Sequence, residues 1–373
     1  MDIWEVLHWN SVVCNKDINP KLSEIESIIK TKLEQKEIRF EIIQSDRVMM
    51  KIDRISGISY MLWDRSYWDV YGLYLSGIIN IAKDKGKESR IRTLCKKRDY
   101  LTTSIYLFGA LRIRDGDLSK KFAYAYRLEM SKPGIITLDM TLGSVIDDCE
   151  ITQFFVAMHE KCHCLINADN DNAQLLIQGI EENIRIAKAI IKEMSLSKIE
   201  KYYGMTKGKM LRLLNSDLED ENLKKDLICD VSAFNDSLEM FFERWKEKYS
   251  REKIINKCME AIRVHGFFSS LVNALDAFWN NTTISINEIQ DTMTSRIRRY
   301  DISELIFMIQ LSTYSFNMDE VMKPDEFSSL DEKNFVFQEI ICRFINEDNR
   351  NLWRQYDFNI KAKNKYELLE WRV

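Results

Sequence analysis

The sequence predicts a mixed α/β chain in which helices predominate, and three observations carry that prediction. Only three prolines and twelve glycines interrupt 373 residues, which favours long helices over a many-turned β fold. Apolar residues recur at helical spacing along several long stretches. Short runs rich in β-branched and aromatic residues near the front of the chain supply enough strand for a small sheet.

The elements follow in order. Pro20 to Gln35 reads as an amphipathic helix, with Leu22, Ile25, Ile28, Ile29 and Leu33 on one face. Ile38–Ile43 and Val48–Ile52 read as two strands, and the short break between them predicts a hairpin. From Gly57 to about Ala82 the aromatic residues Tyr60, Trp63, Tyr67, Trp68, Tyr71 and Tyr74 predict a helix whose stripe packs into the core. Gly86 to Lys97 is basic and reads as solvated surface. Phe122–Met130 and Gly134–Asp139 read as two further strands. The acids Asp147, Asp148 and Glu150 precede a predicted helix from about Thr152 to Leu165, where negative charge near a helix start is favourable. A polar turn at Asn167–Asn172 leads to a helix from Ala173 to about Met194, and another helix spans about Glu219 to Lys248. The chain after Ser250 reads as helical, with Phe267, Phe268, Leu271, Leu275 and Phe278 on one face. The expected division is an N-terminal α/β region at 1–120, a catalytic core at 121–248 and a helical C-terminal region at 249–373.

Composition narrows the class of function. The apolar share of 45% and charged share of 30% are those of an ordinary globular protein. A net charge of −4 gives no reason to expect nucleic acid or an anionic membrane as partner. No apolar run reaches the length of a membrane span, and the start carries acid where a signal peptide carries base, so a cytoplasmic protein is expected. Eight cysteines without a CxxC pair read as reduced thiols rather than a disulfide framework.

The chemistry is concentrated in His159-Glu160-Lys161-Cys162-His163. A helix puts residues i and i+4 on one face, so two imidazoles spaced this way reach one zinc ion. Glu160 lies beside that position, where it can act as general base toward water. His159 and His163 are two of four histidines in the chain, and chance alone gives such a pattern in roughly one chain in a few hundred. Lys161 replaces the usual uncharged residue but points about 200° away from His159 on a helix.

A catalytic zinc usually takes three protein ligands. Glu181 and Glu182 stand on the next predicted helix, 18 and 19 residues past His163. Asp226, Asp230 and Ala233 form a narrow small-residue face on the helix after that, beside Leu223, Leu227, Val231 and Phe234. Acids bordering a buried face need a metal or histidine as partner. On that reading Asp226 binds the metal and Asp230 accepts the N–H of a ligand histidine. The third ligand stays open between Asp226 and the two glutamates. His265 is a further candidate, as an oxyanion donor or as an ordinary core histidine.

An HExxH helix followed by acid-x-x-x-Asp-x-x-Ala resembles the compact zincins, although Asp226 stands where those proteins usually have glutamate. The resemblance implies a zincin-like core with a small sheet over the motif helix, and Gly134–Asp139 as the edge strand that pairs with substrate. Together with Met61-Leu62-Trp63 and Tyr67-Trp68-Asp69-Val70-Tyr71 upstream, the chain is similar to the Lit-type phage-exclusion peptidases over about residues 37–240. That similarity implies a cytoplasmic zinc protease, an intracellular protein substrate such as elongation factor Tu, and a phage-derived or other activator. A regulatory zincin cleaving a repressor or antitoxin, and a non-enzymatic helical binding module, are the alternatives.

Overall fold

A computed structural model describes residues 22–43, 50–65, 67–68, 71–72, 74–75, 142–168, 170–203, 206–215, 221–280, 299, 301–311 and 318–321. The basic stretch at 86–97 and the expected strands at 122–130 and 134–139 lie outside the described residues. Those residues are mostly helical with one three-stranded sheet, so the mixed, helix-dominated class holds.

The first helix, α1 (Glu24–Glu34), starts where its capping chemistry puts it rather than at Pro20. The Ser23 hydroxyl accepts the Glu26 N–H at 3.3 Å, and the Glu26 carboxylate accepts the Ser23 N–H at 2.8 Å. This reciprocal box satisfies two donors that a helix start otherwise leaves open. The predicted apolar face is buried at Ile25, Ile29 and Leu33. Glu37, in the left-handed region at φ 59°, turns the chain into the sheet.

The sheet contains β1 (Ile38–Ile43), β2 (Met50–Ile55) and β3 (Ile58–Asp64) in the order β1-β3-β2. The expected hairpin between the first two strands does not form. Instead β3 lies between them, parallel to β1 and antiparallel to β2. The hairpin joins β2 to β3 through Ser56 and Gly57, at φ 51° and 84°. Two adjacent positive φ values suit the twist of a tight two-residue hairpin turn. The helix expected from Gly57 is likewise a strand as far as Asp64, and helical residues follow only from 65. Tyr60, Met61, Leu62 and Trp63 are all buried, so β3 is covered on both faces and lacks the alternation of a half-exposed strand. The spacing 60, 63, 67, 71, 74 imitates a helical stripe across the strand–helix junction. The expectation that these aromatics pack into the core holds: Tyr60, Trp63, Tyr67, Tyr71 and Tyr74 are all buried.

At the centre lies α2 (Leu142–Ala168), which carries the HExxH residues. It buries Ile151, Phe154, Phe155, Val156, Ala157 and Met158 in succession, so this part of the helix is covered on every side. Each large apolar side chain so enclosed contributes about 1.5–3 kcal/mol. The acids expected to precede the helix lie inside it. Asp147 accepts from Lys248 at 2.8 and 2.9 Å and from the Tyr249 hydroxyl at 2.7 Å, and Asp148 accepts from Lys257 at 3.3 Å. These charges tie α2 to the chain on either side of Ser250 instead of capping a terminus.

The helix α3 (Asn170–Glu193) follows the predicted polar break, and two short helices, α4 (Leu196–Tyr203) and α5 (Lys207–Asn215), fill a stretch with no assigned element in the sequence reading. Along α2 runs α6 (Glu221–Arg244), with Cys229 and Ala233 fully buried where the two helices meet. Long α7 (Arg251–Asn280) packs on the same core. A further helical stretch at 301–311 closes over α6, with Phe307 stacked on Phe234 at a ring separation of 4.1 Å. The sheet meets α2 near the motif, where Cys164 Sγ donates to Ser59 Oγ at 3.2 Å. Among the described residues no helix is long and apolar enough to cross a membrane.

Candidate metal centre

The two motif histidines lie one turn apart on α2 and face two aspartates one turn apart on α6. His159 Nε2 and His163 Nε2 are 3.0 Å apart, and His163 Nε2 is 3.1 Å from Asp226 Oδ1. One ligand atom from each of His159, His163 and Asp226 falls within 4.8 Å of the others. Tetrahedral donors at ordinary zinc bond lengths stand about 3.4 Å apart, so two imidazoles and a carboxylate oxygen at these separations fit that ion.

Behind His159 sits Asp230, fully buried, with Oδ1 at 2.9 Å from His159 Nδ1. The contact is at ion-pair distance but is not aligned as a hydrogen bond. A carboxylate in this place selects the tautomer that leaves Nε2 free for a metal. Burial would push the Asp230 carboxyl up, but the charges of Arg299 and His159 outweigh it and hold the group well below the usual carboxylate range. Burial acts the same way on Asp226, and the His163 hydrogen bond and the Arg299 charge again prevail, so its pKa is lowered. For His163 burial disfavours the cation, yet the Asp226 hydrogen bond and the nearby Glu160 charge raise its pKa.

The structure thus brings His159, Glu160, His163, Asp226 and Asp230 together on two facing helices. It does not bring Glu181 or Glu182. Both are exposed on α3, Glu181 accepting from Lys224 at 3.2 Å and Glu182 from Arg185 Nε at 2.7 Å. Lys161 points away, as its helical angle predicts, and donates to Asp236 at 2.8 Å. His265 lies buried on α7 with Nε2 at 2.8 Å from the Tyr67 hydroxyl. Burial, assisted by the charges of His159 and Arg299, pushes its pKa down to about 3, so it is a neutral core histidine.

Two residues were missed by sequence reasoning. Arg299 donates through Nη1 to Asp226 Oδ2 at 2.8 Å, through Nε to Asp230 Oδ2 at 3.0 Å and through Nη2 to Asp230 Oδ1 at 2.7 Å. Ser303, one helical turn later, donates to Asp230 Oδ2 at 2.7 Å. The usable signal was indirect: two acids on a buried face demand a counter-cation, and Arg299 and Ser303 stand at i and i+4 beside the apolar run Ile302, Leu305, Ile306.

Comparison with protein-family models, curated proteins and solved structures finds no match for this chain.

Proposed function

We propose that the chain is a zinc-dependent endopeptidase. The observation that carries this reading is the convergence of His159, His163 and Asp226 within 4.8 Å, with Glu160 between the two histidines in sequence. Zinc held by these three residues would supply a Lewis acid that polarises water and a peptide carbonyl. Glu160 takes a proton from the attacking water and passes it to the leaving amine. Asp230, 2.9 Å from His159 Nδ1, would orient that ring with Nε2 toward the ion. His159 and Asp230 are buried, which strengthens the charge interactions made between them.

The resemblance to compact zincins supports a zincin-like core, and that to the Lit-type peptidases supports the substrate class. On that reading the substrate is a specific intracellular protein, with elongation factor Tu first to inspect, and the activity serves phage defence under a triggering signal.

The test compares the wild type with Glu160→Gln, expressed equally and shown to hold equal zinc. The active form should arrest growth or abort infection and create one or a few new protein termini in the cell, detected by mass spectrometry. Glu160→Gln should do neither. If both forms arrest cells alike with no new termini, the effect comes from binding and the protease reading is abandoned.

A further inference from the structure

Arg299 comes from beyond the two helices that carry the candidate ligands, yet it touches both aspartates. Its partners divide the carboxylates in a particular way. On Asp226 it takes Oδ2 at 2.8 Å, leaving Oδ1 at 3.1 Å from His163. On Asp230 it takes both oxygens, at 3.0 and 2.7 Å, while Oδ1 also faces His159 Nδ1 and Oδ2 also accepts from Ser303. A further approach, Nη2 to His159 Nε2, is longer at 3.4 Å.

We propose that Arg299 is a positioning residue for the metal centre, holding Asp226 so that it offers the single oxygen Oδ1 and holding Asp230 against His159. The inference rests on the zinc reading given above. Two carboxylates one turn apart, Asp230 buried and Asp226 half-buried, repel each other, and a planar guanidinium offsets both charges while fixing both orientations. Lysine supplies the charge but not the fork, since an ammonium cannot hold three separate oxygens in one plane. The rival role for the same contacts is a stopper, in which the guanidinium stands in for the ion and opposes its binding. The two roles predict opposite signs when Arg299 is replaced.

Cobalt(II) is the probe, because its visible absorption is strong in four-coordinate sites and weak when coordination number rises. Wild type, Arg299→Lys and Arg299→Gln are titrated with cobalt and then with zinc in competition, at matched folding by circular dichroism. Both variants should bind about 10–100-fold more weakly, the loss typical of a partner behind the ligands. Lysine should not rescue. The visible band should weaken too, as the released Asp226 binds through both oxygens. Unchanged affinity and spectrum would mean that Arg299 serves the fold alone, and tighter binding would mean a stopper; either overturns the proposal. Should neither variant fold, the wild type decides: the Arg299 Nε–H stays protected from exchange in the zinc-loaded protein, and exposure on loading refutes the clamp. A wild type that takes up no metal removes the zinc reading and this inference with it, whereas metal binding that matches in all three proteins removes this inference alone.

Discussion

His163 Nε2 lies 3.1 Å from Asp226 Oδ1, across the seam between α2 and α6. The contact joins residues 63 positions apart in the chain, while Glu182, much nearer in sequence, is turned to solvent and paired with Arg185.

Asp226→Ala should therefore weaken zinc binding by more than the ~10–100-fold expected of a residue behind the ligands. Glu182→Ala should leave it unchanged. Competition against a chromophoric chelator measures both. A damaging Glu182→Ala beside a neutral Asp226→Ala would move the third ligand to α3.

The buried histidine on α7 makes a prediction about acid. His265 is held neutral with a folded-state pKa of about 3, against ~6.5 when unfolded. Between those values the unfolded chain binds a proton that the folded one refuses, so stability is lost as pH falls from ~6.5 toward 3. For a fully buried group the total is on the order of a few kcal/mol. His163 has the opposite sign: its raised pKa contributes stability that is present below ~6.5 and lost as pH rises through the folded value. Comparing metal-free wild type with His265→Gln cancels the His163 contribution. Urea midpoints should fall more steeply with acidification in the wild type than in the variant, and parallel curves would refute the assignment.

Glu26 joins the helix start to the sheet. Besides its capping bond to Ser23, it accepts from Trp63 Nε1 at 2.9 Å and from Arg65 at 3.1 Å. Glu26→Ala removes the box and leaves the buried indole N–H unsatisfied, at a combined cost of about 2–4 kcal/mol. A lower urea midpoint with unchanged slope is the expected signature. A change under ~0.5 kcal/mol would show that another group replaces the carboxylate.

The legible parts of this fold are those written in local spacing. His159 and His163 at i and i+4, and Asp226, Asp230 and Ala233 at i, i+4 and i+7, each define one face of one helix, and both faces meet in the structure. What spacing cannot carry is pairing. The parallel register that sets Phe40 beside Met61 has no signal in either strand, and the Ser56-Gly57 turn was hidden by an aromatic stripe that continues across it. Arg299 was illegible for the same reason. A cation in a basic stretch looks like solvated surface until two distant aspartates are known to need it.

The late position of Arg299 also orders events in time. Asp230 is fully enclosed, and the guanidinium that offsets its charge stands 69 residues further along the chain. Ribosomes add roughly 5–20 residues per second, so about 3–14 s pass between the synthesis of the two. Throughout that interval, burying Asp230 between α2 and the growing chain would strand a charge, a penalty of about 3–5 kcal/mol. Enclosing Asp230 without that penalty has to wait until residue 299 has been added, so the His–Asp centre is completed by a segment made well after its candidate ligands.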